Sequence, residues 1–291
     1  MAKIRTSAAL GLFDGVHLGH RAVLKAAAVR KRNGLTPCAF TFSAESMAGK
    51  KADHIYGEAE KNFILTEHCG IEKIFSHDFE EICNMSGEAF VRNIICGEMN
   101  AAYVTCGRDF RFGKNAAWGA DDLVRLGREQ GFTVEVVDDV CCGNERVSST
   151  AIRRLLTRGE LRKADVFLGE PYIILKEIVG GAQIGRTIGF PTANQIFGRG
   201  QLVPAYGVYA SRTLYEGKWY PSMTNIGMKP TVDYGGAPLA ETYISGFSGD
   251  LYGRTVEVVL LDFIRPEKRF SDLDELKSQI KRDVEMSIHR P

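Results

Sequence analysis

Long apolar runs are missing from this chain. No stretch approaches the ~18 residues that cross a bilayer, and the opening segment MAKIRTSAAL lacks the apolar core of a secretory signal, so a cytoplasmic protein without a membrane partner is expected. An excess of charge is missing too. Lysine plus arginine number 37 against 36 aspartates and glutamates, and the balance repeats locally, with 23 against 22 in residues 1–169 and 14 against 14 in residues 170–291. Without a basic field, nucleic acid is not an expected partner, and any phosphate must be recognised locally. The seven cysteines form no C-x-x-C pair, and no histidines stand at zinc-finger spacing, which removes the common metal and dithiol readings and leaves small apolar residues in a reducing compartment. Proline is nearly absent from the first part: only Pro37 precedes Pro171, whereas all seven cysteines lie at or before Cys142. That divide predicts two units of different architecture, as does a length of 291 residues.

Glycine is abundant, at 31 residues, and crowds between positions 11 and 19 and again between 180 and 189. Up to about residue 168, short apolar runs alternate with helical periodicity. Strands are expected at 8–12, 37–42, 102–106 and 132–137, and helices at 18–32, 58–69, 86–99, 121–130, 150–156 and 161–168. This alternation predicts a parallel α/β sheet with ligands outside the carboxyl ends of its strands. After Gly169-Glu170-Pro171 the pattern becomes strands punctuated by glycine and proline, at 172–179, 207–214, 219–226, 239–247 and 255–263, which suggests a small antiparallel barrel. A final helix is expected from Ser271, capped by Ser271 with Asp274 and apolar at Leu273, Leu276, Ile280 and Val284.

Three segments in the first part carry chemistry. In Gly11-Leu12-Phe13-Asp14-Gly15-Val16-His17-Leu18-Gly19-His20 a strand ends in a glycine turn, and two histidines three residues apart open the next helix. A helix start offers unpaired N–H groups and the positive end of a dipole, Gly19 lets a phosphate approach, and two imidazoles can donate to phosphoryl oxygens. The spacing does not fit H-E-x-x-H. Gly107-Arg108-Asp109-Phe110-Arg111-Phe112-Gly113 follows another strand end, and Arg146-Val147-Ser148-Ser149-Thr150-Ala151-Ile152-Arg153 begins a helix flanked by arginines, with Ser149 or Thr150 as its natural cap.

The first run resembles the H-x-G-H signature of the nucleotidyltransferase superfamily, and within it the adenylyltransferase half of bacterial bifunctional riboflavin kinase/FAD synthetases. The resemblance implies a Rossmann-like α/β nucleotidyltransferase domain over residues 1–169. It also implies transfer of AMP from ATP to the phosphate of FMN. His17 and His20 would act at the α-phosphate; Gly11, Phe13, Asp14, Gly19, Arg146, Ser148, Ser149 and Arg153 would bind ATP; and Asp109, Phe110 and Phe112 would contact the flavin.

In the second part, Gly180-Gly181-Ala182-Gln183-Ile184-Gly185-Arg186-Thr187 nearly spells a P-loop, but Gly189 and Pro191 forbid the helix that a P-loop needs. It runs instead into Gly189-Phe190-Pro191-Thr192-Ala193-Asn194, which resembles the G-F-P-T-A-N signature of riboflavin kinases. Further similarity follows at Asn225-Ile226-Gly227 with Lys229-Pro230-Thr231, at Glu241, and at Ile264-Arg265-Pro266-Glu267-Lys268-Arg269-Phe270. This resemblance implies an antiparallel Greek-key β-barrel kinase domain over residues 170–291 with a C-terminal helix. Gly181, Gly185, Arg186, Thr192 and Asn194 would bind ATP, Thr192 and Asn194 would hold Mg²⁺, Glu241 would be the base, and Arg265, Glu267 and Phe270 would order the flavin. Riboflavin, FMN and FAD are the implied substrates and products, Mg²⁺ would accompany ATP, and a monomer is the expected state. Four residues depart from the family's usual ones: Leu12, Lys176, Glu177 and Tyr243.

Overall fold

The computed structural model describes residues 4–47, 53–180, 189–228 and 236–288. Contacts divide the chain into two compact units, Met1–Ser149 and Thr150–Pro291.

In the first unit the chain runs β1 (Thr6–Leu10), α1 (Leu18–Ala28), β2 (Thr36–Phe42), α2 (Ala44–Met47), α3 (Glu58–Phe63), β3 (Lys73–His77), α4 (Phe79–Ile82), α5 (Gly87–Phe90), β4 (Ala101–Gly107), β5 (Arg111–Phe112), β6 (Trp118–Gly119), α6 (Ala120–Gln130), β7 (Thr133–Val137), β8 (Cys141–Cys142) and β9 (Glu145–Arg146). Five strands form one parallel sheet in the order β3-β2-β1-β4-β7. The chain therefore moves outward in one direction from β1 and returns to the other side with β4. Between the carboxyl ends of these two strands lies the crevice where doubly wound sheets hold ligands. β1 is buried along its whole length, so its polar side chains need partners. Thr6 Oγ1 donates to the Met99 carbonyl at 2.7 Å, and Ser7 Oγ donates to the Ala27 carbonyl at 2.9 Å.

Several bounds differ from those expected. β1 stops at Leu10 because the chain bends there, with Phe13 and Val16 at positive φ. α1 tightens into a 3₁₀ turn, Val29–Asn33, before Gly34 closes it at φ 76°. The helices expected at 58–69 and 86–99 pass into π-helical segments at Ile64–His68 and Val91–Glu98. Edge strand β3 was not expected. Its five residues hold only the short apolar pair Ile74-Phe75, and it acquires its identity by pairing with β2.

The second unit comprises α7 (Ser149–Thr157, whose first residue closes the first unit), α8 (Leu161–Leu168), β10 (Ile173–Glu177), β11 (Thr192–Ile196), β12 (Gly207–Tyr215), β13 (Lys218–Met228), β14 (Pro238–Ile244), β15 (Thr255–Pro266) and α9 (Leu273–Ile288). The composition shift at residues 169–171 thus lies inside this unit, after two helices that pack with it. Its six strands pair antiparallel in the order β10-β15-β12-β13-β14-β11. The sheet nearly closes, because the Val179 N–H donates to the Asn194 carbonyl at 2.9 Å and Gln195 Nε2 donates to the carbonyls of Lys176 and Val256. Strand β11 was not among the strands expected from sequence.

The interior of the near-barrel carries hydroxyl pairs as well as apolar side chains. Ser211 meets Thr224 at 2.8 Å, Thr213 meets Ser222 at 2.7 Å, and Thr224 meets Thr242 at 2.9 Å, all buried. Each such pair contributes roughly 0.2–1 kcal/mol and satisfies groups that would otherwise be costly to bury. α9 is tied down by Asp283, which is fully buried and accepts from Arg265 Nη2 at 2.6 Å and from Gln279 at 2.8 Å, and by Ser287, which donates to the Ser222 carbonyl at 2.6 Å. The capping box is shifted by one residue from the expected Ser271/Asp274 pair. Asp272 Oδ1 accepts the Glu275 N–H at 2.8 Å, while Glu275 Oε2 accepts the Ser271 N–H at 3.0 Å. The helix begins at Leu273, and Glu275 reaches back to the N–H of Ser271, the residue before Asp272.

Candidate active sites

The first site is built where β1 and β4 end. His17 caps α1: its Nδ1 accepts the His20 N–H at 3.3 Å, so its remaining proton sits on Nε2. The two imidazoles stack at 3.7 Å between centroids, 14° from parallel, and Phe13 meets His20 edge-on at 5.5 Å. Gly19 leaves the space beside this pair open, since a Cβ there would lie 3.2 Å from the His17 ring. Gly15, at φ +79°, would drive a Cβ to 2.6 Å from Ile55 Cδ1, so the turn admits no side chain there. Non-glycine residues Phe13 and Val16, both fully buried, hold φ values of 50° and 38°. Such strain persists only where packing enforces it.

Two further loops reach the same place. Asp14 uses Oδ1 to accept the Ile55 N–H at 2.8 Å, and its carbonyl accepts from Ser149 Oγ at 2.9 Å, which ties the end of the first unit to the histidine loop. Ser149 is the first residue of α7 and spends its hydroxyl on Asp14, so neither it nor Thr150 is the cap expected from sequence; Ser148 holds the preceding position. Arg146 Nη2 donates to Asp109 at 2.6 Å and meets Asp139 at 2.9 Å, linking the hairpin to the loop after β4. Asp109 and Arg146 both act electrostatically on His17. Phe110 is half-buried and stacks on Phe112 at 5.7 Å, whereas Phe112 is buried in the core against Phe90 and Trp118. Arg153 lies on α7, in the second unit.

Burial holds both histidines neutral. It lowers His17 to about 4, partly offset by a backbone hydrogen bond and Asp109, and it holds His20 well below its usual range, with His17 adding to the effect. At neutral pH each ring is an uncharged donor, and His20 Nδ1 has no hydrogen-bond partner among the described residues. Because the unfolded chain protonates His17 at about 6.5 and the folded chain only at about 4, the stability this group contributes is complete above 6.5 and is lost as pH falls through 4. That amounts to about 3 kcal/mol. His17→Asn keeps a capping acceptor without the titration. Urea unfolding followed at pH 7 and pH 4 should show a smaller acid loss for this variant than for the parent; equal losses would contradict the assignment.

Beside this loop is a cleft lined by Leu12, Phe13, Asp14, Phe42, His54 and Lys61, among others. Lys61 is buried, with Nζ 2.8 Å from the Phe42 carbonyl and 3.1 Å from Glu58, and burial lowers its pKa against the pull of Glu58. Sequence reading overlooked Lys61, His54 and Asp139. Lys61 stands three and four residues before Ile64 and Leu65, on the buried face, where a cation is unusual.

The second site is a row across the near-barrel. Register pairs Asn194 with Glu241, Glu241 with Asn225, Asn225 with Val208, and Val208 with Arg265. Side chains paired directly across antiparallel strands share a face, so the expected cation ligand, base and flavin residue lie on one face in that order. Thr192, two residues before Asn194, is on the same face opposite Tyr243, whose ring meets Phe190 edge-on at 5.2 Å. Asn194 is 7% exposed, and its Oδ1 has no hydrogen-bond partner among the described residues. Arg265 gives its guanidinium to Asp283 and lies over the Phe270 ring at 5.8 Å. The Glu267 carboxylate covers Gly227, where a Cβ would come within 2.1 Å of it. Gly181, Gly185 and Arg186 lie outside the described residues, as do Lys229, Pro230 and Thr231.

A family model for FAD synthetase matches residues 1–151, and one for riboflavin kinase matches residues 168–289. The bifunctional riboflavin kinase/FMN adenylyltransferase of Escherichia coli K12 is 37% identical over 281 residues, covering 94% of this chain and 89% of the relative. The chain belongs to the bifunctional riboflavin kinase/FMN adenylyltransferase family. The Bacillus subtilis member is 32% identical, with 96% and 90% covered. A crystal structure described as a macrolide-efflux protein from Streptococcus pneumoniae superposes with a TM-score of 0.81 at 29% identity, covering 100% of this chain and 96% of that one. No helix among the described residues is long and apolar enough to cross a membrane. The FAD synthetase part comes first and the riboflavin kinase part second, so this family member phosphorylates riboflavin to FMN and adenylylates FMN to FAD.

Proposed function

We propose that the two reactions are divided between residues 1–169, which adenylylate FMN, and residues 170–291, which phosphorylate riboflavin, each at the site described for its part. The observation that carries this reading is the registered row that sets Asn194 beside Glu241, because it aligns a cation ligand with a base.

In the kinase site Glu241 takes the proton of the ribityl 5′-hydroxyl as that oxygen attacks the γ-phosphorus of ATP and ADP leaves. Thr192 and Asn194 hold Mg²⁺ with ATP; the unpartnered, buried Oδ1 of Asn194 and the hydroxyl of Thr192 are the hard oxygen donors that such a cation prefers. When bound, the cation neutralises phosphate charge. Gly181, Gly185 and Arg186 bind the nucleotide, and Arg265, Glu267 and Phe270 order the flavin, with Arg265 held in place by Asp283.

In the adenylyltransferase site a phosphate oxygen of FMN attacks the α-phosphorus of ATP and pyrophosphate leaves. The nucleophile is already ionised, so the chain needs only to position and neutralise. His17 and His20 donate to the α-phosphate, while Gly11, Phe13, Asp14, Gly19, Arg146, Ser148, Ser149 and Arg153 bind ATP. Asp109 and Phe110 contact FMN, and Phe112 supports Phe110 from the core. The even charge of both halves supports action on small molecules without a nucleic-acid or membrane partner, and seven free cysteines support a reducing cytoplasm.

Asn194→Ala tests the cation assignment. The Mg²⁺ concentration giving half-maximal FMN formation should rise about tenfold or more, while the Mg²⁺ dependence of FAD formation from supplied FMN stays unchanged. An unchanged kinase requirement would remove Asn194 from the cation site.

A further inference from the structure

The row across the near-barrel has a member without an assigned role. Asn225 lies between Glu241 on β14 and Val208 on β12, and beyond Val208 comes Arg265 on β15. It is half-buried, and its side-chain amide has no hydrogen bond among the described residues, unlike the hydroxyls of Ser222 and Thr224 on the interior face of the same strand. Neighbouring strands stand about 4.8 Å apart, so Asn225 is one strand from the base and two from Arg265. Two residues further along its own strand and face is Gly227, under the Glu267 carboxylate.

Riboflavin has a fixed order: the 5′-hydroxyl that is phosphorylated, then a chain of ribityl hydroxyls, then the ring. With the 5′-hydroxyl at Glu241 and the ring at the Arg265–Glu267 end, the ribityl chain has to cross the strand that carries Asn225. We propose that Asn225 is a specificity residue of the riboflavin kinase, its amide hydrogen-bonding an internal ribityl hydroxyl and so selecting a polyhydroxylated side chain over a plain alkyl one. The inference rests on the assignment of Glu241 as base and of Arg265 and Glu267 to the flavin. An amide both donates and accepts, as a hydroxyl does, and the partner's absence in turn leaves a half-buried amide unsatisfied.

The test uses the full chain, riboflavin, and a flavin whose N10 substituent is 5-hydroxypentyl, which keeps the reacting hydroxyl and lacks the internal ones. The parent should prefer riboflavin in kcat/KM. Asn225→Ala should lower kcat/KM for riboflavin about three- to tenfold, mostly through KM, and leave the hydroxypentyl flavin within about twofold, so that the preference shrinks. If the alanine variant does not fold, Asn225→Leu, of similar volume, carries the same expectation. An equal fall for both flavins, or no change in either, overturns the role of Asn225. Glu241→Gln measured alongside separates the two levels: FMN formation persisting in that variant overturns the site assignment itself, whereas its loss together with an unaltered preference in Asn225→Ala overturns only this inference.

Discussion

Glu241→Gln is expected to abolish FMN formation from riboflavin while leaving FAD formation from supplied FMN intact. A primary hydroxyl is a poor nucleophile until its proton has somewhere to go, and a positioned carboxylate supplies about 10²–10⁴ in rate. Glutamine keeps the shape and the hydrogen-bonding reach but cannot accept the proton. The position is favourable for that task. Glu241 sits at the centre of β14, with Asn225 and Asn194 in register on either side, so strand pairing rather than a loop fixes where its carboxylate stands. Incubation with riboflavin and Mg-ATP, followed by separation of the flavins, reads both reactions in one experiment. In the variant, supplied FMN should still become FAD; a parallel loss of both products in a folded protein would mean that the two sites are not independent.

What could be read from the sequence follows how local each feature is. The histidine turn and the G-F-P-T-A-N segment were legible because their chemistry is written into ten or fewer consecutive residues, and the alternation of runs was enough to separate a parallel sheet from an antiparallel one. Features that depend on distant partners were not. β3 exists because β2 offers it an edge. Phe112, expected at the flavin beside Phe110, also packs against Phe90 and Trp118, contacts that its sequence neighbours do not announce. Ser149 looked like a cap, and its hydroxyl goes to the carbonyl of Asp14, 135 positions away. The row from Asn194 to Arg265 joins five strands from four distant stretches of chain, and only register reveals it. The cap was misplaced for a smaller reason: Ser271 and Asp272 are both capping residue types, and the Glu275 N–H goes to Asp272.

His20→Ala is expected to produce the reverse separation, with FMN accumulating from riboflavin and FAD formation falling about 10²–10³-fold, the usual cost of removing a fixed donor from the position where charge concentrates. The stacked pair explains why the loss should be large. His17 spends Nδ1 on capping α1, so its donor is Nε2–H alone, while buried His20 presents Nδ1 without a partner among the described residues. Both rings are neutral before substrate arrives because burial disfavours a charge there. A bound triphosphate supplies the negative charge that would favour protonation, so the free pair pays no penalty for holding two adjacent cations and still offers donors in place. Alanine also removes the ring against which His17 and Phe13 pack, so His20→Asn serves as the companion variant, keeping a side-chain donor on the same helix face. It should recover part of the adenylyl transfer lost in His20→Ala, and riboflavin phosphorylation should be unaffected in both. If FAD formation in His20→Ala stayed within a few-fold of the parent, the phosphate-binding role would pass to Arg146 and the start of α7, and the histidine stack would be left with capping alone.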